Sequence, residues 1–174
     1  IPNIKVAQTA LSFDGTGVPG GGFTYGGLPF TNNLNTKLVL DHSDVTAYWS
    51  IMDNWLNLDL GITARVFDGK LTVLDTVSSN TFTSNIDQTV PMLYGAIGLE
   101  IPFISDLFFG VEVNMIEYNG STIKDHVIKF SYTTSYFIGI EAGVRTFTVE
   151  LDDVNSNFAN MEFAGSFANL YIHF

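Results

Sequence analysis

The chain has no cysteine among its 174 residues, which removes disulfides, thiol nucleophiles and thiolate metal sites from consideration. Basic residues are scarce as well: seven Lys and Arg stand against eighteen Asp and Glu, for a formal net charge of −11. So little positive charge leaves no stripe to neutralise phosphates, which argues against nucleic acid as a partner. Charged residues of both signs reach only 14%, well under the quarter or so typical of a soluble domain, while hydrophobic residues make up 46%. Such a chain cannot coat itself with mixed charge. Long apolar runs are missing too, so no transmembrane helix is expected, and no amphipathic helix of useful length stands out. No signal peptide is visible, and an opening "IPNIKV" without Met reads as a processed or truncated product.

What is present is alternation. In "NWLNLDLGITARV" (54–66), Leu56, Leu58, Leu60, Ile62, Ala64 and Val66 interleave with Trp55, Asn57, Asp59, Gly61, Thr63 and Arg65. A period of two puts these sets on opposite faces of a β-strand. A soluble sheet would bury the leucines, whereas a membrane barrel would show them to lipid. Similar patterns predict strands over 2–13, 36–52, 55–74, 88–101, 107–118, 123–133, 136–151 and 158–174. The length suits one domain over 1–174.

The connections alternate. "DN", "PFISD" and "TS" read as tight turns; "GTGVPGGGFTYGGLPFTNN", "DTVSSNTFTSNIDQ", "NGST" and "DDVNSN" read as longer loops. That is the arrangement of an outer-membrane barrel, with short periplasmic turns and longer outer loops, and an even strand count returns both ends to the periplasmic side. The faces agree. Leu107, Phe109, Val111, Val113 and Met115 oppose Phe108, Gly110, Glu112, Asn114 and Ile116; Tyr136, Ile138, Ile140, Ala142 and Val144 oppose Phe137, Gly139, Glu141, Gly143 and Arg145. A soluble barrel's outer face would be dense in Lys and Glu. Glycine mixed with isolated charges suits a crowded polar lumen instead. The expected fold is therefore all-β: an antiparallel, up-and-down transmembrane β-barrel with eight visible strands.

The last residues, "FANLYIHF", place Ala168, Leu170, Ile172 and Phe174 on one face. They resemble the final strand of bacterial outer-membrane proteins, where a terminal Phe is recognised by the barrel assembly machinery; Leu170, Ile172 and Phe174 would carry that signal. Taken together, "MDNWLNLDLGITARVFDG", "VPMLYGAIGLEIPF", "IGIEAGVRTFTVELDDV" and "FAGSFANLYIHF" resemble a family of small Gram-negative outer-membrane β-barrel proteins of unestablished function. The resemblance runs along the whole chain and is most specific over 54–69. It implies localisation in the bacterial outer membrane, with outer-membrane lipid and lipopolysaccharide as surroundings. It also implies a longer N-terminus with a signal peptide and a further strand pair, leaving open whether the eight strands are a complete barrel or part of ten. It supplies no catalytic residues.

The inward charges are the main candidate site: Asp59, Arg65, Glu112, Lys129, Glu141 and Arg145. Counted from the tight turns, Asp59, Glu112, Lys129 and Glu141 fall at similar depth, and Arg65 and Arg145 lie a layer further up. In a narrow barrel such charges form a salt-bridged plug; in a wider one they line a constriction. The plug is favoured because small barrels leave little room for a channel. Catalysis is not expected. His173 sits beside the terminal Phe174, His126 beside Asp125 near a loop, and His42 in "DHSD" suits a rim hydrogen bond. "DDVNSN", with Asp153, Asn155 and Asn157, mimics the start of a calcium loop, but Phe158 and Ala164 stand where Gly and Glu would be needed. "GTGVPGGGFTYGG" lacks the Lys and Ser/Thr of a phosphate loop; with Phe23, Tyr25 and Phe30 it reads as a flexible tether or a loop for surface contact. Trp49, Trp55, Phe103, Phe108, Phe109 and Tyr136 gather near the tight turns, as an interfacial belt would, with Phe108 also suited to the interior. No metal or other cofactor is expected. The expected function is a non-enzymatic outer-membrane barrel with a largely filled polar lumen, acting structurally or through surface interaction of its extracellular loops, which could meet a protein partner. The alternative is a narrow channel for small solutes.

Overall fold

A computed structural model describes residues 1–25, 27–136, 138–154 and 157–172. No helix occurs among them. The strands are β1 (Asn3–Thr9), β2 (Ser12–Gly17), β3 (Phe23–Tyr25), β4 (Leu28–Phe30), β5 (Leu34–Asp53), β6 (Leu56–Asp75), β7 (Thr81–Glu100), β8 (Leu107–Tyr118), β9 (Ser121–Thr133), β10 (Ile138–Val154) and β11 (Asn157–Ile172). One sheet runs β1-β5-β6-β7-β8-β9-β10-β11, with β2 also paired to β5. Sheet order follows chain order, so the fold is all-β, antiparallel and up-and-down. The eight expected strands are present in sequence.

Four connections differ from expectation, among them "DDVNSN", where β10 runs to Val154 and β11 begins at Asn157. The segment read as a loop over 75–88 is mostly strand, because β7 begins at Thr81. "NGST" shrinks to a two-residue turn at Asn119 and Gly120, whose φ values of 49° and 80° match a type I′ hairpin. The Gly-rich tether contains the β3–β4 hairpin, with Phe23 opposite Phe30 and their rings stacked at 5.3 Å. The regular alternation of short and long connections therefore does not hold. These strands keep pairing past the point where the sequence turns polar, for a reason found in the register below.

Contacts divide the chain into two units: Ile1–Lys5, Thr46–Thr63 and Pro91–Phe174; and Val6–Val45 with Ala64–Val90. In the first, β8 to β11 fall into cross-strand rows. One face stacks Leu107–Tyr132–Ile140–Leu170, then Phe109–Phe130–Ala142–Ala168, then Val111–Ile128–Val144–Ser166. The other stacks Phe108–Ser131–Glu141–Asn169, Gly110–Lys129–Gly143–Phe167 and Glu112–Val127–Arg145–Gly165. This second face is concave. β1 and β8 are four places apart in the sheet, roughly 19 Å if it were flat, yet Lys5 Nζ lies 2.6 Å from Glu112 Oε2.

The second unit builds on β2, the β3–β4 hairpin and portions of β5, β6 and β7. The break between β1 and β2 is patched by Asp41, whose Oδ1 accepts the Leu11 N–H at 2.9 Å. Its buried apolar side chains include Phe30, Leu34, Leu40 and Phe67.

Candidate functional site

The orientation of the faces decides what the site can be. On β6, Leu60, Ile62 and Val66 are 51%, 59% and 45% exposed, whereas Thr63 and Arg65 between them are 2% and 0% exposed. The same holds along the sheet: Leu93, Ile97, Phe130, Ile140 and Leu170 are exposed, while Asp44, Thr46 and Asp125 are buried. Polar groups are enclosed and aliphatic groups displayed, the reverse of a water-soluble sheet.

Eight of the enclosed charges are joined in ion pairs. Glu112 on β8 receives Lys5 from β1 at 2.6 Å and Lys129 from β9 at 2.6 Å, one on each carboxylate oxygen. Lys129 also meets Glu141 on β10, whose second oxygen accepts the Asn169 amide of β11 at 3.1 Å. A continuous chain, Lys5–Glu112–Lys129–Glu141–Asn169, thus crosses the concave face from β1 to β11. Two ammonium and two carboxylate groups cancel, as enclosed charges must. The lysine stem has room because its row neighbours are Gly110 and Gly143. Lys5 also lies over the Tyr94 ring, 5.9 Å from its centroid.

Further along, Arg145 grips Asp125 of the adjacent strand through two nitrogens, with Nε to Oδ1 at 2.8 Å. Arg65 grips Asp44 in the same forked manner, at 2.8 and 2.7 Å. A hydroxyl relay completes the polar interior of the first unit: Thr63 Oγ1 donates to Asn114 Oδ1 at 2.6 Å and therefore accepts from Thr46 Oγ1 at 2.7 Å.

Of the six expected lumen charges, Glu112, Lys129 and Glu141 are brought together. Arg65 and Arg145 each hold a carboxylate on the neighbouring strand. Asp59 instead accepts a 2.7 Å hydrogen bond from Ser50. Lys5, Asp44, Asp125 and Asn169 were missed. Parity was the available signal for Asp125, which alternates with Val127 and Lys129 on one face; Asp44 was noticed only as a neighbour of His42. His42 itself is buried, donating from Nδ1 to the Leu40 carbonyl oxygen at 2.9 Å with its ring beside Phe67. His126 and Asp125 point to opposite faces. Leu170 and Ile172 are exposed, on the apolar face; Phe174 and His173 lie outside the described residues, as does Asn155 of the calcium-like segment. Among the expected belt aromatics, Trp49, Trp55, Phe103 and Tyr136 are exposed, Phe109 meets Phe130 on the apolar face at 5.2 Å, and Phe108 shares the enclosed row with Glu141.

Sequence reasoning also missed Asp75 in the second unit. Its fully buried carboxylate accepts backbone N–H groups from Val77 and Ser78 at 3.0 Å each, and from Thr31 and Asn32 at 3.1 and 3.2 Å. The Ser78 N–H and its companions hold this carboxyl far below its ordinary value of 3.8, against the opposing effect of burial. The β6–β7 turn is thereby clasped to the segment after β4, an attachment reinforced by Asn80 donating to the Pro29 carbonyl at 2.9 Å. No family model, curated protein or solved structure matches this chain.

Proposed function

We propose that this protein is an integral β-barrel of the bacterial outer membrane whose interior is filled by ion pairs, and that it acts structurally or through its loops rather than as a catalyst or an open pore. The exposed aliphatic face of β6, back to back with a sealed arginine, carries the reading. Displayed in water, such a face is a large unsatisfied apolar surface; in hydrocarbon it is matched to its solvent. The residues fit the thickness: apolar side chains recur over 56–66 on β6 and 107–115 on β8, close to the nine to eleven residues or so of a tilted crossing strand. Exposed Trp49, Trp55 and Tyr136 supply interfacial anchors. The outer membrane as the particular bilayer rests on the family resemblance of the sequence.

The filled interior favours a silent barrel over a channel, because the Lys5–Glu112–Lys129–Glu141 chain occupies the concave face where a conduction path would run. Refolding into detergent and then a planar bilayer tests both parts. The folded protein should run faster on gels before boiling than after it, and the bilayer should show no discrete current steps. Solubility without detergent would overturn the membrane reading. Reproducible steps would replace the plug with a narrow channel.

A further inference from the structure

The polarity of the two faces exchanges partway along the strands, within the first unit. Below the exchange, the exposed rows are the three apolar ones already described. The next outward row, Val113–His126–Thr146–Ala164, is mixed and half-buried except at Ala164. Beyond it come Met115–Lys124–Thr148–Glu162 and Glu117–Thr122–Glu150–Asn160, which carry every outward charge of these four strands' rows. The enclosed face changes in the opposite sense. Past Glu112–Val127–Arg145–Gly165 it presents Asn114–Asp125–Phe147–Phe163, where Phe147 and Phe163 stack at 6.2 Å, and then Ile116–Ile123–Val149–Met161, wholly apolar.

We infer that the hydrocarbon edge of the membrane crosses β8 to β11 at the Val113–His126–Thr146–Ala164 row, and that these strands continue past it into the headgroups and water. The inference rests on the membrane reading above and adds where the membrane stops. A sheet crossing only lipid needs no exchange; one entering water must bury apolar groups inside and show polar ones outside. The partners of the outer surface therefore change along each strand. Acyl chains contact Phe130, Ala142 and Val144, and the polar headgroup layer meets His126 and Lys124. At roughly 3.3 Å per residue and a tilt near 40°, the strands reach on the order of 10–20 Å beyond the edge.

Because the chain lacks cysteine, single-cysteine variants carry no background. Ala142→Cys and Val144→Cys probe below the edge, and Thr148→Cys and Thr122→Cys beyond it. Each is assembled into lipid nanodiscs, which expose both membrane faces, and the fraction with folded gel mobility is treated with a charged maleimide. Thiols at 148 and 122 should react as fast as a thiol placed at exposed Phe103. Those at 142 and 144 should react about tenfold more slowly or worse, since a thiolate does not form in hydrocarbon. Protection at all four positions would show insertion with the edge misplaced and overturn this inference alone. Fast labelling at all four would overturn the membrane reading with it.

Discussion

Glu112 is the residue on which the interior pivots. Each of its oxygens receives an ammonium group, from Lys5 and Lys129. Glu112→Gln leaves two enclosed lysines short of a counter-charge, and breaking such a pair costs about 3–5 kcal/mol. We expect a matching loss in urea unfolding from lipid vesicles, together with intermittent current in planar bilayers as the plug loosens. Asp75 makes a different prediction. A carboxyl held below its ordinary value contributes stability that is complete above the unfolded value of about 4 and drains away as pH falls through the lower folded value. Protease attack on the β3–β4 segment should therefore be no faster at pH 5 than at pH 7, and Asp75→Asn should accelerate it at both. A third lies at Gly139, over which the Tyr171 ring lies so closely that any side chain there would strike it. The Tyr171 hydroxyl bonds Thr133 Oγ1 at 2.6 Å, so one side chain ties β11 across β10 to β9. Gly139→Ala should destabilise the barrel by about 1–3 kcal/mol, the range for overpacking, whereas Tyr171→Phe should cost only about 1 kcal/mol for the lost hydrogen bond.

At the scale of the strand, position matters as much as face. Ile140→Arg puts a charge well within the apolar rows and should cost about 2–4 kcal/mol, whereas Thr148→Arg, beyond the edge, should cost under about 1 kcal/mol. Equilibrium unfolding of both variants in the same lipid checks the difference. Much of this scale was legible in the sequence. Alternation such as that over 54–66 gave strand after strand and the enclosed set Glu112, Lys129 and Glu141, because a period of two needs no tertiary information. Which charge meets which was not legible: Lys5 reaches Glu112 only because the sheet curls, and Arg65 reaches Asp44 only in one register. The loops were overestimated for a related reason. Segments such as 81–88 and 121–122 were read as connections because they are polar, yet in water a strand is expected to be polar on its outer face.

For the molecule as a whole, the pairing is local, with each strand of the main sheet beside its successor in that path. The enclosed ion pairs cancel one another, so the net charge of −11 resides outside them. Acidic residues in the outward rows past the edge, Glu117, Glu150 and Glu162, outnumber the single Lys124 there. A surface of that sign repels polyanions and attracts cations in a manner that added salt screens.

The exchange of faces also determines how the strands can be misaligned. A slip by one residue turns every side chain to the wrong side, as in any sheet with one apolar face. A slip by two normally goes unpunished, since faces are restored. Here it would drag Lys124 down into the row of His126 and lift Val144 into the row of Thr146. Each strand thus behaves like a graduated rule rather than a repeating ladder: parity fixes its facing, and the change of polarity fixes its depth.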